Sequence, residues 1–254
     1  MKISIVTATY NSAATLRSTL DSILAQTYQD YELLLQDGGS TDDTLAIVEE
    51  YAPRFGDRLK LECNPDKGIY DGLNRGCQRA TGDVIGTLNS DDFYSSDEVL
   101  ATIARTYREH PDIEAVYADV HYVRPDDLTR TVRYYSSRKF RPWRIKMGYM
   151  PAHPTFYVRR WCYEKYGYYD LDLKVASDFE FVMRLVYIHH IRTRYVHEDW
   201  VTMRTGGAST SGLQSYALIL SDHRKAFRKH GITFNPLIYS LRYLGKLTEF
   251  RLRR

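Results

Sequence analysis

Three short polar clusters in the first hundred residues have the make-up of a site for a phosphorylated ligand. Thr9, Tyr10 and Asn11 follow one apolar run, Asp37, Gly38, Gly39 and Ser40 a second, and Asn89, Ser90, Asp91 and Asp92 a third. Adjacent carboxylates after a buried strand are hard oxygen donors suited to Mg2+ or Mn2+, and such an ion suits a diphosphate. Taken alone, the Asp-Asp pair reads first as a helix cap, and Asp-Gly-Gly as a plain turn. A further carboxylate, Asp178, stands ahead of an apolar helical run, where taken alone it suits the helix dipole. His153, before Pro154, is open to three roles: metal ligand, leaving-group contact or packed loop histidine. Neither G-x-G-x-x-G nor G-x-x-x-x-G-K-S/T occurs, which argues against a dinucleotide fold and a P-loop ATPase.

These clusters need strands to bring them to one edge. Residues 3–8, 31–36, 59–62 and 84–88 read as strands, and helical patterns fall between them at 69–80 and after Asn11 or Ser12 and Ser40, which are candidate caps. The helix at 98–108 ends before Pro111. Alternating strands and helices imply an α/β fold with a parallel sheet, whose ligands bind at the carboxyl ends of the strands. After residue 112 the pattern changes to paired strands at 114–123 and 129–135, a strand at 155–158, a helix at 179–187 and two short strands near Tyr195 and Val201. The expected organisation is a nucleotide-binding half, 1–112, and an acceptor half, 113–212, fused in one domain. A helical tail, 213–254, breaks around Gly231 and Pro236.

Several segments, in order, resemble the family 2 glycosyltransferases of the GT-A fold. IVTATYN is similar to their opening strand, QDGGSTDDT to the DGSxDxT segment, and NPDKGIYDGLNRG to the N-x-G-x-x-x-A-x-N-x-G helix. TGDVIGTLNSDD resembles the stretch ending in the metal-binding DxD. HPTFYVRR, YGYYD and ASDFEFVMRL resemble acceptor-side segments, and MRTGGAST a late Gly-Gly-Ser loop. The likeness spans about residues 2–212. It implies an inverting transferase that moves a sugar from a nucleotide donor, usually UDP-linked, to a glycan or lipid-linked saccharide. By the resemblance Thr9, Tyr10, Asn11 and Asp37 hold the nucleobase, Asp37 accepting its imide N–H. Asp66, Lys67, Gly68 and Asp71 lie near base, ribose or phosphates. Asp91 coordinates a divalent metal with Asp92 and His153 as further candidates, Asn89 and Ser90 lie on the donor, and Asp178 is the base. Three positions depart from the pattern: Asn89 replaces the first acid of DxD, Ser177 the acid before Asp178, and Gly72 the usual alanine.

Composition limits the rivals. The 254 residues are 43% hydrophobic and 26% charged, which excludes disorder, collagen-like repeats and coiled coil as the architecture. No apolar run is long enough to span a bilayer. The short apolar stretch at the N-terminus lacks a signal-peptide cleavage site, and three scattered cysteines suit a reducing compartment, so cytoplasmic residence is expected. A net charge of +3 is too weak to imply nucleic acid. The charge is concentrated, however, in an acid-free basic stretch at 132–146 and in the tail. Leu237, Ile238, Leu241, Leu244, Leu247 and Leu252 fall on one side of that tail, opposite Arg242, Lys246 and Arg253. Such a helix suits the inner face of a membrane, packing on its own domain, or a second copy of the chain. Arg204, Gly206, Gly207 and Ser209 suit a lid. A sugar-1-phosphate nucleotidyltransferase would need a glycine-rich basic loop after the first strand, and TATYNSAATL has neither glycine nor lysine. A non-catalytic nucleotide- or sugar-binding protein of the same fold is the remaining alternative, kept open by Asn89 and Ser177.

Overall fold

The computed structural model describes residues 1–206 and 212–242. The elements follow the chain as β1 (Ile3–Thr9), α1 (Leu16–Leu24), β2 (Tyr31–Asp37), α2 (Thr44–Phe55), β3 (Leu59–Cys63), α3 (Ile69–Arg79) and β4 (Val84–Thr87). Then come β5 (Phe93–Tyr94), α4 (Val99–Glu109), β6 (Ala115–Arg124), β7 (Asp127–Tyr135), β8 (Tyr157–Arg159) and α5 (Arg160–Tyr166). The last are α6 (Ser177–Val182), continued by a π-helical turn over Met183–Ile188, β9 (Thr193–Arg204), α7 (Gly212–Lys229) and α8 (Pro236–Ser240).

Among the described residues one mixed sheet runs β3-β2-β1-β4-β8-β6-β9-β5, with β7 paired to β6. The first four strands are parallel, and β8 extends them antiparallel to β4. Strands of the two halves interleave, since β8 lies beside β4 and β5 lies at the far edge beside β9. Alternation along each strand divides the core between two faces, as a pleated strand buried on both sides requires. Ile3, Ile5, Leu33 and Leu35 meet α1, α2 and α4 through residues such as Leu20, Ile47 and Ile103. Val6 and Leu34 meet the other layer, with Leu73 and Cys77 of α3, Phe179 of α6 and Phe227 of α7. Gly76 lets α3 lie tight on β1, because a Cβ there would sit 2.4 Å from Val6 Cγ1.

Several local expectations are corrected. Neither Asn11 nor Ser12 is the cap of α1, whose N-cap is Thr15, and the N-cap of α2 is Asp43, not Ser40. Asn11 has a left-handed backbone (φ 49°), and its side-chain oxygen accepts from the Thr41 N–H at 2.8 Å. The two strands expected near Tyr195 and Val201 are one strand, β9, carrying a register irregularity opposite Tyr117–Asp119. The strand expected at 155–158 begins at Tyr157, since His153–Thr155 is a 3-10 turn. Both α5 and the two-residue β5 are additional; β5 is too short to show a period. The described tail packs on the domain: Ala226 and Phe227 are buried, and Asp222 accepts from the Val175 N–H at 2.8 Å. Leu244, Lys246, Leu247, Leu252 and Arg253 lie outside the described residues, as do Gly207 and Ser209 of the suggested lid.

One buried acid ties the strand edge together. Glu32 on β2 is 1% exposed and accepts from Lys2 at 2.7 Å, Lys60 at 2.5 Å, Ser4 at 2.6 Å and the Thr81 N–H at 2.7 Å. Burial pushes its carboxyl up, but these donors outweigh burial and hold it well below the usual range. A carboxylate lowered in the folded state stabilises it above the unfolded pKa, and that contribution is lost as pH falls. Glu32→Gln is expected to cost about 2–3 kcal/mol at neutral pH in urea unfolding. The gap to wild type should close progressively as pH drops below about 4.3.

Candidate active site

The parallel register sets Thr9 beside Asp37 at the carboxyl ends of β1 and β2. Asp37 is completely buried. Its Oδ1 accepts from the Thr9 hydroxyl at 3.1 Å and the Ser40 hydroxyl at 2.5 Å. Its Oδ2 accepts from the N–H groups of Gly39 and Ser40, both at 2.9 Å, and from the Cys63 thiol at 3.2 Å. Burial raises the Asp37 carboxyl, but these bonds, led by Ser40, bring it below its ordinary value. The oxygens of Asp37 are thus engaged within its own loop and by Thr9 and Cys63, and they are closed off from the surface.

In front of that loop lies a cavity of about 500 Å³ lined by Thr9, Tyr10, Gly38, Asp66, Gly68 and Ser90. Tyr10 lines it and is 63% exposed. Asp66 is the carboxylate that faces this cavity, held by the Gly68 N–H at 2.9 Å. Gly72 fits this arrangement, since a Cβ there would stand 2.9 Å from Asp66 Oδ2. Two expected donor residues do not line the cavity. Asp71 accepts from the Lys67 N–H and from Arg75, each at 3.0 Å, and so closes its own turn, while Lys67 is exposed.

A second cavity of about 490 Å³ shares Ala8, Ser12, Ile69 and Ser90 with the first and adds Asn11, Asn89, Asp91, Asp92, His153 and Asp178. Asp92 is 1% exposed, with Oδ2 accepting from the Asn89 amide at 2.9 Å. Burial, then the neighbouring Asp91 charge, push its carboxyl well up, and burial also raises Asp91. The Arg204 guanidinium donates to the Asp91 carbonyl and reaches Ser18 Oγ at 2.8 Å. Arg204 thus anchors the acidic turn, a role for which the sequence carries no signal.

His153 lines the same cavity as Asp91 and Asp92. Its Nε2 is 2.9 Å from the Tyr169 hydroxyl, and burial lowers the imidazole. Among the described residues no three His, Cys, Asp or Glu side chains converge as a metal cage. Asp91 and Asp92 nonetheless fit a hard divalent cation. They are two desolvated acids on one turn, and an ion of this kind commonly completes its shell with phosphate oxygens and water.

Asp178 stands in the first turn of α6. Its Oδ1 accepts from the Tyr70 hydroxyl at 3.2 Å and the Phe179 N–H at 2.8 Å. No described donor occupies Oδ2. Ser177, where the resemblance places a second acid, is wholly buried, and its hydroxyl makes no hydrogen bond. A carboxylate at that position would be enclosed by the core, away from the cleft. Tyr70 was missed in the sequence because a tyrosine on a helix reads as packing. A third chamber, about 220 Å³, shares His153 and Asp178 with the second. The cleft is therefore continuous from Tyr10 past Asp91 to Asp178 and beyond.

The profile of glycosyl transferase family 2 matches residues 4–166. The chain belongs to that family. It is 36% identical, over 76% of its length and 73% of the relative's, to a PGL/p-HBAD biosynthesis glycosyltransferase of Mycobacterium bovis. Among solved structures it is similar to S. aureus TarS 1-349 in complex with UDP-GlcNAc (TM-score 0.67, 22% identity), covering 87% of this chain and 66% of TarS 1-349. It is also similar to mannosyltransferase PcManGT of Pyrobaculum calidifontis in complex with GDP-Man and Mn2+ (TM-score 0.69, 20% identity), covering 95% of this chain and 69% of that one. At these identities the structural likeness speaks for the GT-A fold alone, and it agrees with the α/β sheet and flanking helices found here. In this family 2 glycosyltransferase no described helix is long and apolar enough to cross a membrane.

Proposed function

We infer that this family 2 glycosyltransferase moves a sugar, with inversion, from a UDP-linked donor to a hydroxyl of a glycan or lipid-linked saccharide. One observation carries the reading: a cavity lined by Tyr10 and Asp66, an acidic turn and Asp178 follow one another along a single cleft. Tyr10 and Asp66 would hold the base, with Asp66 in the role expected of Asp37. Asp91, backed by Asp92, would hold Mn2+ or Mg2+, which when bound supplies positive charge against the leaving diphosphate. The acceptor oxygen attacks the anomeric carbon, its proton passes to Asp178 Oδ2, and the bond to the β-phosphate breaks with its electrons on the diphosphate. Tyr70 and the Phe179 N–H orient the carboxylate. A non-catalytic binder is disfavoured because Ser177 replaces an acid outside the cleft.

A thermal-shift panel of UDP, GDP, CDP and dTDP, with and without Mn2+, tests the donor site. Metal-dependent stabilisation by UDP is expected, approaching about 2.7 kcal/mol at a hundredfold excess over the dissociation constant. A larger shift with another nucleotide would overturn the uracil assignment, and no shift with any would favour the non-catalytic reading.

The same protein carries a surface suited to anionic lipid. Trp143 is 61% and Leu237 79% exposed, on a basic turn and on α8, which pack together where Tyr149 donates to the Arg242 carbonyl at 3.0 Å. Exposed Arg138, Lys139, Arg141 and Lys146 lie on the same stretch as Trp143. Apolar side chains among cations match a peripheral membrane contact. Flotation should show binding to phosphatidylglycerol vesicles that salt reverses, and none to phosphatidylcholine; equal binding to both would refute the electrostatic part.

A further inference from the structure

The third chamber contains Asp178 but neither Asp91 nor Asp92. Tyr122, Tyr135 and Tyr149 line it, and two guanidinium groups reach it from distant parts of the chain. Arg133 of β7 lies 4.8 Å from the Tyr122 ring centroid. Arg242, just after α8, lies 4.9 Å from the Tyr239 ring centroid and donates to the Tyr239 hydroxyl.

Arg242 sits in a built seat. Gly148, at φ 74°, leaves room for it: a Cβ there would stand 2.6 Å from Arg242 Nη1. The Tyr239 hydroxyl is 3.0 Å from His223 Nδ1, and His223 stacks on Phe179 at 3.7 Å between centroids. The guanidinium is therefore tied through one stack to the residue beside Asp178. Arg242 Nε is buried without a hydrogen-bond partner, and Arg242 makes no ion pair among the described residues. Asp178 is the only carboxylate lining the chamber among the described residues. A guanidinium with an unused donor is complemented by an anion, and its geometry matches phosphate and carboxylate.

We propose that this chamber is the acceptor subsite and that the acceptor carries an anionic group, phosphate or carboxylate, held by Arg133 and Arg242 while its hydroxyl reaches Asp178. The proposal rests on the reading of Asp178 as the base. Phosphate would come from a lipid-linked pyrophosphate, carboxylate from an acidic sugar.

Calorimetric titration of the full chain, saturated with UDP and Mg2+ to fill the donor site, separates these sources. The probes are geranyl pyrophosphate and glucuronate, with geraniol and glucose as neutral counterparts. At least one anion should bind about tenfold or more tighter than its counterpart, and Arg242→Gln and Arg133→Gln should each remove that advantage with UDP affinity unchanged. Geranyl pyrophosphate alone identifies the phosphate source, glucuronate alone the carboxylate. Equal affinity for anions and neutral counterparts, no anion binding, or wild-type anion affinity in both variants overturns the proposal. Should Arg242→Gln fail to fold, Arg133→Gln on a different element carries the comparison. Failure of wild type to bind UDP would sink the donor-site reading instead, and the anion titration would then be made on the unliganded chain.

Discussion

Asp178→Asn lowers sugar transfer by about 10²–10⁴-fold, the usual contribution of a positioned general base, and leaves nucleotide binding intact. The substitution is nearly isosteric. An amide oxygen still accepts from Tyr70 and the Phe179 N–H, so the turn keeps its geometry. What is lost is the second oxygen's ability to take a proton, and Oδ2 is the oxygen that no described group engages. Initial rates of transfer, measured beside the UDP thermal shift, separate the two effects. A variant that transfers within a few-fold of wild type would remove Asp178 from the mechanism, whatever its nucleotide affinity.

Chelation of divalent metal, or Asp91→Asn, should cost about 10²–10³-fold in transfer and erase most of the UDP-induced stabilisation. Two neighbouring acids, each made harder to ionise by burial, have one amide and one guanidinium nearby. A diphosphate brought to that turn meets repulsion unless a cation stands between them. Asp91→Asn should also flatten the metal titration, because Asp92 is enclosed and linked to Asn89. Mn2+ or Mg2+ added after EDTA should restore the wild-type protein but not the variant. Full activity in EDTA would refute a metal on the diphosphate.

The donor edge was largely legible in the chain. Apolar runs ending in Thr9, Asp37 and Asn89–Asp92 have the period and termination of buried parallel strands, and the parallel pairing found for β1, β2 and β4 brings their ends together. Helix caps were less legible, because Asn11 and Ser40 found stronger partners across the β1–β2 edge than in their own helices. Asp37 and Asp66 show the limit most clearly. Asp37 ends β2 and Asp66 follows β3, and only the fold encloses the first within its own loop and sets the second against the cavity.

By itself the sequence determined the alternating α/β architecture, the three polar strand ends and the family, since these depend on local periodicity and on short ordered motifs. Tertiary structure decided which carboxylates face the cleft, that Ser177 lies outside it, and that Arg133 and Arg242 share one chamber with Asp178. Those are questions of side-chain direction and of contact between segments far apart in the chain. Burial and competing hydrogen-bond partners settle them only after the sheet has closed and α7 and α8 have packed on it.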